Sequence, residues 1–362
     1  MSKAAQLAAL IGSGVAQGNK NLIINGAMTV AQRGTSTTGV TNATLLIDRF
    51  IATTTSGSID LSKSTTAPAG FANSFKVAVN TTNAFGTASD EAHIEQKIEA
   101  QNLQRLGYGS STAHKITLSF WVRSSVTGNY GAWFYQEDAG KDYSTSYTIS
   151  SANTWEKKTI TVDGNISNII NNDNGIGMNI RWFLDGGSNR RGTVRDSWLT
   201  TSPTAPKVPT GAPAWMNGSN DFYLTGVQLE VGEQATPFEH ESFAVTQHKC
   251  FRYYYNSRFG YNEGGAYSPN RDAQYGHVRA CIAQFPVKMR ATPSVSIQSS
   301  DANCMDRFGR GQETCYPKAD NIYPELFQNI VKYTNANQTT TTNWQDNGNY
   351  INRAGYKADA EL

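Results

Sequence analysis

The chain has 362 residues, 38% of them hydrophobic and only 17% charged, with 31 basic against 29 acidic side chains. That length exceeds one ordinary core and suits two domains plus a terminal segment. The near-neutral balance, with no basic run of five or more, excludes the electrostatic footprint of a nucleic-acid binder, and no apolar run approaches a membrane span.

Residues 1–18 form a segment of their own. Ser2 is placed to cap a short helix in which Ala4, Leu7, Leu10 and Ile11 share a face, with Gly12 and Gly14 as stops. About ten helical residues are marginal alone in water. Leu7, Leu10 and Ile11 are therefore expected to anchor on sister chains or on a larger assembly. The stretch loosely imitates a signal peptide, but its apolar part is short and Gln6 interrupts it, so no cleaved signal is expected.

From 19 to 244 the sequence reads as short strands separated by turns, rich in Ser, Thr, Asn, Gly and aromatic residues. Glu91–Leu106 reads as a strand followed by one helical turn burying Leu103 and Leu106. Lys115–Arg123 alternates with period two, Ile116, Leu118, Phe120 and Val122 taking one face. Tyr130–Gln136 follows after Thr127-Gly128-Asn129, the pattern of a hairpin. Lys157–Val162, Gly177–Leu184 and Asp221–Val231 are further strands. In the last, Phe222 and Leu224 hold one phase and Val227 and Leu229 the other, which predicts a β-bulge near Gly226. The Pro/Thr/Ser-rich run from Thr200 to Pro213 reads as a surface loop.

Residues 245–362 read as a smaller second β-domain. Its elements are an aromatic strand Cys250–Asn256, a pair of strands at His277–Met289 broken by Pro286, a strand Ser294–Gln298, a loop rich in Gly, Cys and charge, and a final strand near the C-terminus. Strands at this spacing without intervening helices make the fold class all-β, a sandwich or barrel. Cys250, Cys281, Cys304 and Cys315 lack Cys-x-x-Cys spacing, and His93, His114, His240, His248 and His277 are scattered. Free thiols in a reducing compartment are expected, with Cys304 to Cys315 the only local disulfide loop on offer.

Four aromatics, Trp121, Trp133, Tyr135 and Trp182, are candidates for a sugar-stacking platform, since aromatic faces bind the apolar faces of pyranose rings. By parity Trp121 and Trp133 face away from Phe120 and Phe134; the alternative is that all four pack inside the sandwich or under loops. Glu137, Asp138 and Asp142 cluster in one loop, where acidic residues are more often solvated turn formers than a glycosidase pair. No zinc-protease, nucleophile-elbow or phosphate-loop motif is present. No enzyme activity and no cofactor are expected. Tyr253, Tyr254 and Tyr255 could face a sister subunit or a neighbouring domain.

The segment Asn21-Leu-Ile-Ile-Asn-Gly-Ala-Met-Thr-Val-Ala-Gln-Arg-Gly-Thr35, followed by Asp48-Arg-Phe50, resembles the opening of a family of tailed-bacteriophage virion proteins. Thr117-Leu-Ser-Phe-Trp-Val-Arg123 is similar to a strand of that family and of carbohydrate-binding-module jelly rolls. Leu224-Thr-Gly-Val-Gln-Leu-Glu-Val-Gly232, Ala235-Thr-Pro-Phe-Glu239 and Cys250-Phe-Arg-Tyr-Tyr254 resemble its closing motif, and Ala358-Asp-Ala-Glu-Leu362 resembles its endings. The resemblance implies a jelly-roll β-sandwich in the virion, a tail or capsid fibre-like structural protein made in the bacterial host cytoplasm. It also implies self-association as a homotrimer, contact with other virion proteins of head or tail, and contact with host cell-surface glycan. Related modules use an Asp near the start of the closing strand to hold a structural calcium; Thr225-Gly226 stands here, which puts calcium in doubt.

Two readings stay open on sequence: a fibre that recognises the host surface or its glycans, and a purely architectural head decoration or tail adaptor.

Overall fold

The computed structural model describes residues 20–257, 271–272, 276–298, 303–306, 312–320, 326–333, 350–351 and 355–362, with side chains at 20–257, 285–296 and 356–362. The expected N-terminal helix, with Leu7, Leu10 and Ile11, lies outside the described residues, as do the side chains of Cys281, Cys304 and Cys315. The chain divides into two compact units, Met1–Phe243 and Ala244–Leu362.

The first unit is a jelly-roll β-sandwich. Its strands are β1 (Ser36–Val40), β2 (Thr44–Leu45), β3 (Ile51–Thr54), β4 (Ser58–Ser64), β5 (Ser74–Thr81), β6 (Glu91–Glu99), β7 (Ile116–Ser124), β8 (Gly128–Gln136), β9 (Lys141–Ile149) and β10 (Glu156–Val162). The series continues with β11 (Ile176–Gly186), β12 (Arg191–Gly192), β13 (Leu199–Thr200), β14 (Val208–Pro209) and β15 (Asp221–Val231). One sheet runs β1-β4-β5-β15-β7-β10 and the other β13-β9-β8-β11-β6-β3-β2, with antiparallel pairing throughout both. The inner faces meet in one core. Phe120 of the six-stranded sheet lies edge-on to Tyr147 and Trp182 of the seven-stranded sheet, with ring centroids 5.0 and 5.9 Å apart. Phe222 packs on Tyr130 at 5.7 Å. The turn after β6 is a 3-10 helix, Ala100–Leu106, that buries Leu103 and Leu106 as its sequence suggests.

Three expectations need correcting. β7 and β8 are not a hairpin: they belong to opposite sheets, and β8 pairs with β9 and β11. Both strands send alternate residues into the same core, so their patterns match a hairpin although the chain crosses the sandwich between them. Cys250–Asn256 is not one strand: an α-helix, α1 (Phe243–Phe251), precedes a short strand Tyr254–Asn256. Thr246 and Cys250, four residues apart, are its buried positions, and Ser242 stands directly before it. The Gly/Cys/charge-rich segment after Gln298 is not a plain loop, since strands Asn303–Asp306 and Gln312–Asp320 pair antiparallel within it.

The described residues of the second unit form two antiparallel sheets. One joins Tyr254–Asn256, Gly355–Asp359 and Ser294–Gln298; the other has six strands, including Gly276–Gln284 paired with Leu326–Tyr333, so that His277–Met289 holds one strand ending before Pro286 and not the expected pair. Phe285, Met289, Tyr356, Ala358 and Ala360 form a small core with Tyr255 and Val295 against it.

The opening and closing motifs of the first unit are two halves of one clasp. Asn21 accepts the Leu229 N–H at 3.0 Å and donates Nδ2 to the Val227 carbonyl at 3.1 Å. Leu22 N–H bonds to Leu229 O at 2.8 Å, and Val227 N–H to Gly26 O at 3.0 Å. The Asn21 N–H donates to Glu239 Oε2 at 3.0 Å, while Glu239 N–H returns to Gln228 Oε1 at 2.8 Å. Glu230 takes the Thr236 N–H and Oγ1, both at 2.8 Å. Asn25, buried and left-handed at φ 63°, donates to the Val30 and Asp48 carbonyls at 2.9 and 3.0 Å. Its Oδ1 accepts Thr29 and Val30 N–H. Asp48 in turn takes the Gln32 N–H at 2.8 Å. Backbone groups of irregular segments need such partners once water is excluded, so these polar residues are what permit chain without strand pairing to sit against the sandwich.

Candidate functional site

The two outer faces of the sandwich differ in what they leave open. On the seven-stranded sheet, strand alternation turns Trp133 and Tyr135 of β8, Arg181, Phe183 and Asp185 of β11, and His93, Glu95 and Lys97 of β6 outward, in the register Glu95–Arg181–Trp133. Residues 186–216 fold back over this face. Gly131 permits the approach, because a Cβ there would meet the Lys207 carbonyl oxygen at 2.0 Å. Asp185, buried, holds the excursion at both ends: Oδ1 pairs with Arg191 Nη2 at 2.5 Å and Oδ2 accepts Met216 N–H at 2.8 Å. Arg190 pairs with Glu91 at 2.9 Å, and Arg195 with the buried Asp142. The Thr200–Pro213 run is thus not a surface loop, since Ala205, Lys207 and Val208 are buried in it.

The cover consumes Trp133. Its ring stacks on Tyr135 at 5.0 Å, carries the Arg181 guanidinium at 4.9 Å and the Lys207 ammonium at 4.6 Å, and its Nε1 donates to Asp142 at 2.7 Å. Burial lowers the Lys207 pKa to about 8, with Glu91 opposing that and Arg190 and Arg181 adding to it. Burial likewise holds His93 well below its ordinary value, helped by Arg181, Lys207, Arg190 and Lys97. His93 sits with Nδ1 3.7 Å from Glu91 and Nε2 3.9 Å from Glu95.

The six-stranded sheet keeps part of its outer face open. One end is covered by the 232–239 segment, over Thr117 and Gln228. Beyond it the bulge at Gly226 falls where the phase change places it, with a register break between Thr225 and Gln228. Its φ of 59° suits glycine, and a Cβ would lie 2.6 Å from Phe71 and 2.9 Å from Trp121. Half-buried Trp121 and Phe71 meet there, and Phe71 continues edge-on to Phe238 at 5.0 Å and against exposed His240 at 5.3 Å. One strand repeat further along β7, Arg123 covers the Tyr223 ring at 4.8 Å, Lys76 approaches it at 5.5 Å, and half-buried Trp155 meets it edge-on at 6.1 Å. The result is a row of partly exposed aromatic surface edged by cations.

The four platform candidates therefore do not come together. Trp121 is on the open face of the six-stranded sheet. Trp133 is buried beneath the excursion, the alternative of packing under a loop, with half-buried Tyr135 stacked on it. Trp182 is a correction of a different kind: it points into the core, fully buried between Phe50 and Phe120, because β11 turns Met178, Ile180, Trp182 and Leu184 inward. Tyr253 and Tyr254 are also corrected, being 1% and 4% exposed within the chain, with nothing left for a sister subunit; Tyr255 is half-buried against Phe251, Phe285 and Tyr356. Sequence reasoning missed Phe71, Arg123, Trp155 and Tyr223. Arg123 and Trp121 share a parity on β7, the signal that could have found Arg123. Among the described residues no group of three or more His, Cys, Asp or Glu is placed to hold a metal ion.

No family model and no curated protein matches the chain. Among solved structures, the enzymatically active domain of bacteriophage CBA120 tailspike protein 4 aligns with a TM-score of 0.30 and 13% identity, over 58% of this chain and 21% of that one. A putative sugar binding protein from Bacteroides thetaiotaomicron aligns with a TM-score of 0.34 and 12% identity, over 58% and 99%. A family 11 carbohydrate-binding module from Clostridium thermocellum, in complex with a mixed-linked tetrasaccharide, aligns with a TM-score of 0.29 and 10% identity, over 56% and 98%. The chain thus spans about a fifth of the tailspike chain and nearly all of the two others. What each of these proteins binds or cleaves belongs to that protein.

Proposed function

We propose that this chain is a non-enzymatic structural component of a tailed-bacteriophage virion, a fibre-like homotrimer made in the host cytoplasm, whose sandwich recognises host-surface glycan. The clasp carries the reading. The segments that resemble virion proteins, 21–35 with 48–50 and 224–239, are distant in sequence, yet they hydrogen-bond to one another residue by residue. A resemblance built on one cooperating polar network concerns the whole architecture and not isolated short matches. The hydrogen-bonded side chains of the clasp hold the sandwich closed, and recognition falls to the aromatic row of the six-stranded sheet, which Phe238 of the closing segment borders.

The carboxylates at the β8–β9 turn support binding without cleavage. Glu137 accepts from Asn179 Nδ2 at 3.1 Å, and Asp138 accepts the Asn171 N–H and Nδ2 at 2.9 and 2.8 Å. Both are exposed and serve to fasten neighbouring chain. The excursion that seals the seven-stranded face favours the architectural alternative, a head decoration or tail adaptor, since it removes one of two faces from ligand access. Gold-labelled antibody against the chain, applied to intact particles, tests the proposal. Label at tail or fibre tips supports recognition, label spread over the head supports the architectural alternative, and particles without label overturn the virion assignment.

A further inference from the structure

On the open face, the Arg123 guanidinium is fixed before any ligand arrives. It lies over Tyr223 at 4.8 Å, and its Nε donates to the Asn153 carbonyl at 2.9 Å. Asn153 reaches that position through a left-handed turn, φ 56°, a conformation Asn tolerates, while its own N–H bonds to Ser124 O at 2.7 Å. The two Nη groups of Arg123 meet no acceptor among the described residues. Nearby acceptors are already engaged: Asp221 pairs with Lys76 at 3.2 Å, and the Asn153 carbonyl is held by Arg123 itself. Lys157, across from Trp121 in the β7–β10 register, is exposed and has no ion pair among the described residues. Three cations, Arg123, Lys76 and Lys157, thus stand beside the carboxylate of Asp221, while Asp60, two strands further along the Asp221 row, accepts from Gly39 and Asn80.

A neutral sugar hydroxyl needs acceptors as well as donors, and carbohydrate sites for neutral glycans accordingly require both. Here the unengaged charged groups nearest the Tyr223 and Trp121 rings, the Arg123 Nη groups and Lys157, are donors. The ligand chemistry that matches is an acceptor-only group, a carboxylate, phosphate or sulfate, which a planar guanidinium grips with two parallel N–H bonds. Half-buried Trp155, beside Tyr223, offers an apolar ring surface of the kind that packs on a pyranose.

We propose that the open face of the six-stranded sheet binds an acidic saccharide, with its anionic group in the Arg123 fork and its ring against Trp155. This rests on the glycan-recognition reading and adds the charge class of the ligand.

Affinity electrophoresis of the full chain through gels holding polygalacturonate, poly(glycerol phosphate), dextran or a single-stranded oligonucleotide tests it. We expect retardation by an acidic saccharide polymer and none by dextran. Arg123→Gln should weaken it by about tenfold or more, the loss of one charge-assisted pair. Arg123→Lys, which keeps charge but not the fork, should recover only part. Melting curves of each variant separate lost binding from lost folding. Retardation by polygalacturonate or by poly(glycerol phosphate) identifies carboxylate or phosphate as the anion. Retardation by dextran equal to that by the acidic polymers, unchanged in Arg123→Gln, overturns the acidic site and leaves glycan recognition standing. Equal retardation by the oligonucleotide overturns saccharide specificity. A chain that no saccharide retards loses the recognition reading itself.

Discussion

Replacing Asn25 by Ala attacks the clasp at its most buried side chain. Asn25 is 3% exposed and makes four hydrogen bonds between 2.9 and 3.0 Å, two as acceptor and two as donor. Alanine removes all four, leaving N–H and C=O groups of Thr29, Val30 and Asp48 without these partners. Each intramolecular bond is worth about 1 kcal/mol net, and buried groups left unpaired cost more. The left-handed backbone at φ 63° adds about 1 kcal/mol for a side chain with a Cβ and no local hydrogen bond. Rebinding by water offsets part, so the net loss is about 4 kcal/mol. For a unit of this size that lowers the melting midpoint by about 10 °C. Asn25→Gly separates the contributions: it loses the same bonds but not the conformational penalty, and should melt a few degrees above the Ala variant. Tryptophan fluorescence follows the transition, because Trp182 and Trp215 are fully buried in this unit. Variants melting within about 2 °C of the parent chain, or Gly melting below Ala, would refute the clasp as a source of stability.

Burial makes His93 a source of acid sensitivity. Its folded pKa lies well below 6.5, so the unfolded chain binds more protons below that pH. The stability it contributes is full above about pH 6.5 and is lost as pH falls toward the folded value, by up to roughly 2 kcal/mol at pH 5. Urea midpoints at pH 7 and 5 should diverge less in His93→Gln than in the parent chain. Asp185→Ala, which unfastens the excursion from Arg191 and Met216, should expose residues 187–215 to limited proteolysis and destabilise the sandwich by about 3 kcal/mol. Light scattering of the full chain should give about three times its 39.5 kDa mass; a monomer at high concentration refutes the trimer.

The sequence made the sandwich legible where one face is buried and the other is not. β7, β11 and β15 lie within two residues of their predicted spans, and the Gly226 bulge follows from a phase change between Leu224 and Val227. Pairing was not legible, because alternation gives which face is buried but not which strand lies beside it; hence the false hairpin of β7 and β8. The site was half legible. Parity correctly turned Trp121 and Trp133 away from the core, but whether a long excursion returns over an outer face depends on tertiary fastening such as Asp185–Arg191 and the bare Cα of Gly131. For Trp182 the alternation within β11, with Met178, Ile180 and Leu184 in the same phase, already pointed inward. Arg123 and Tyr223 come together from strands a hundred residues apart, a pairing that single-sequence patterns do not carry.

Incubating the purified chain with host envelope polysaccharide, and measuring both retention and new reducing ends, tests recognition without catalysis most directly. Glycoside hydrolysis needs two carboxyl groups, one of them a tuned acid, poised about a bond that is to break. Glu137 and Asp138 are exposed and bound to Asn179 and Asn171. Retention is expected to weaken in Arg123→Gln, with no rise in reducing ends over prolonged incubation. Reducing ends that accumulate with the parent chain and vanish on Glu137→Gln or Asp138→Asn would contradict recognition without catalysis.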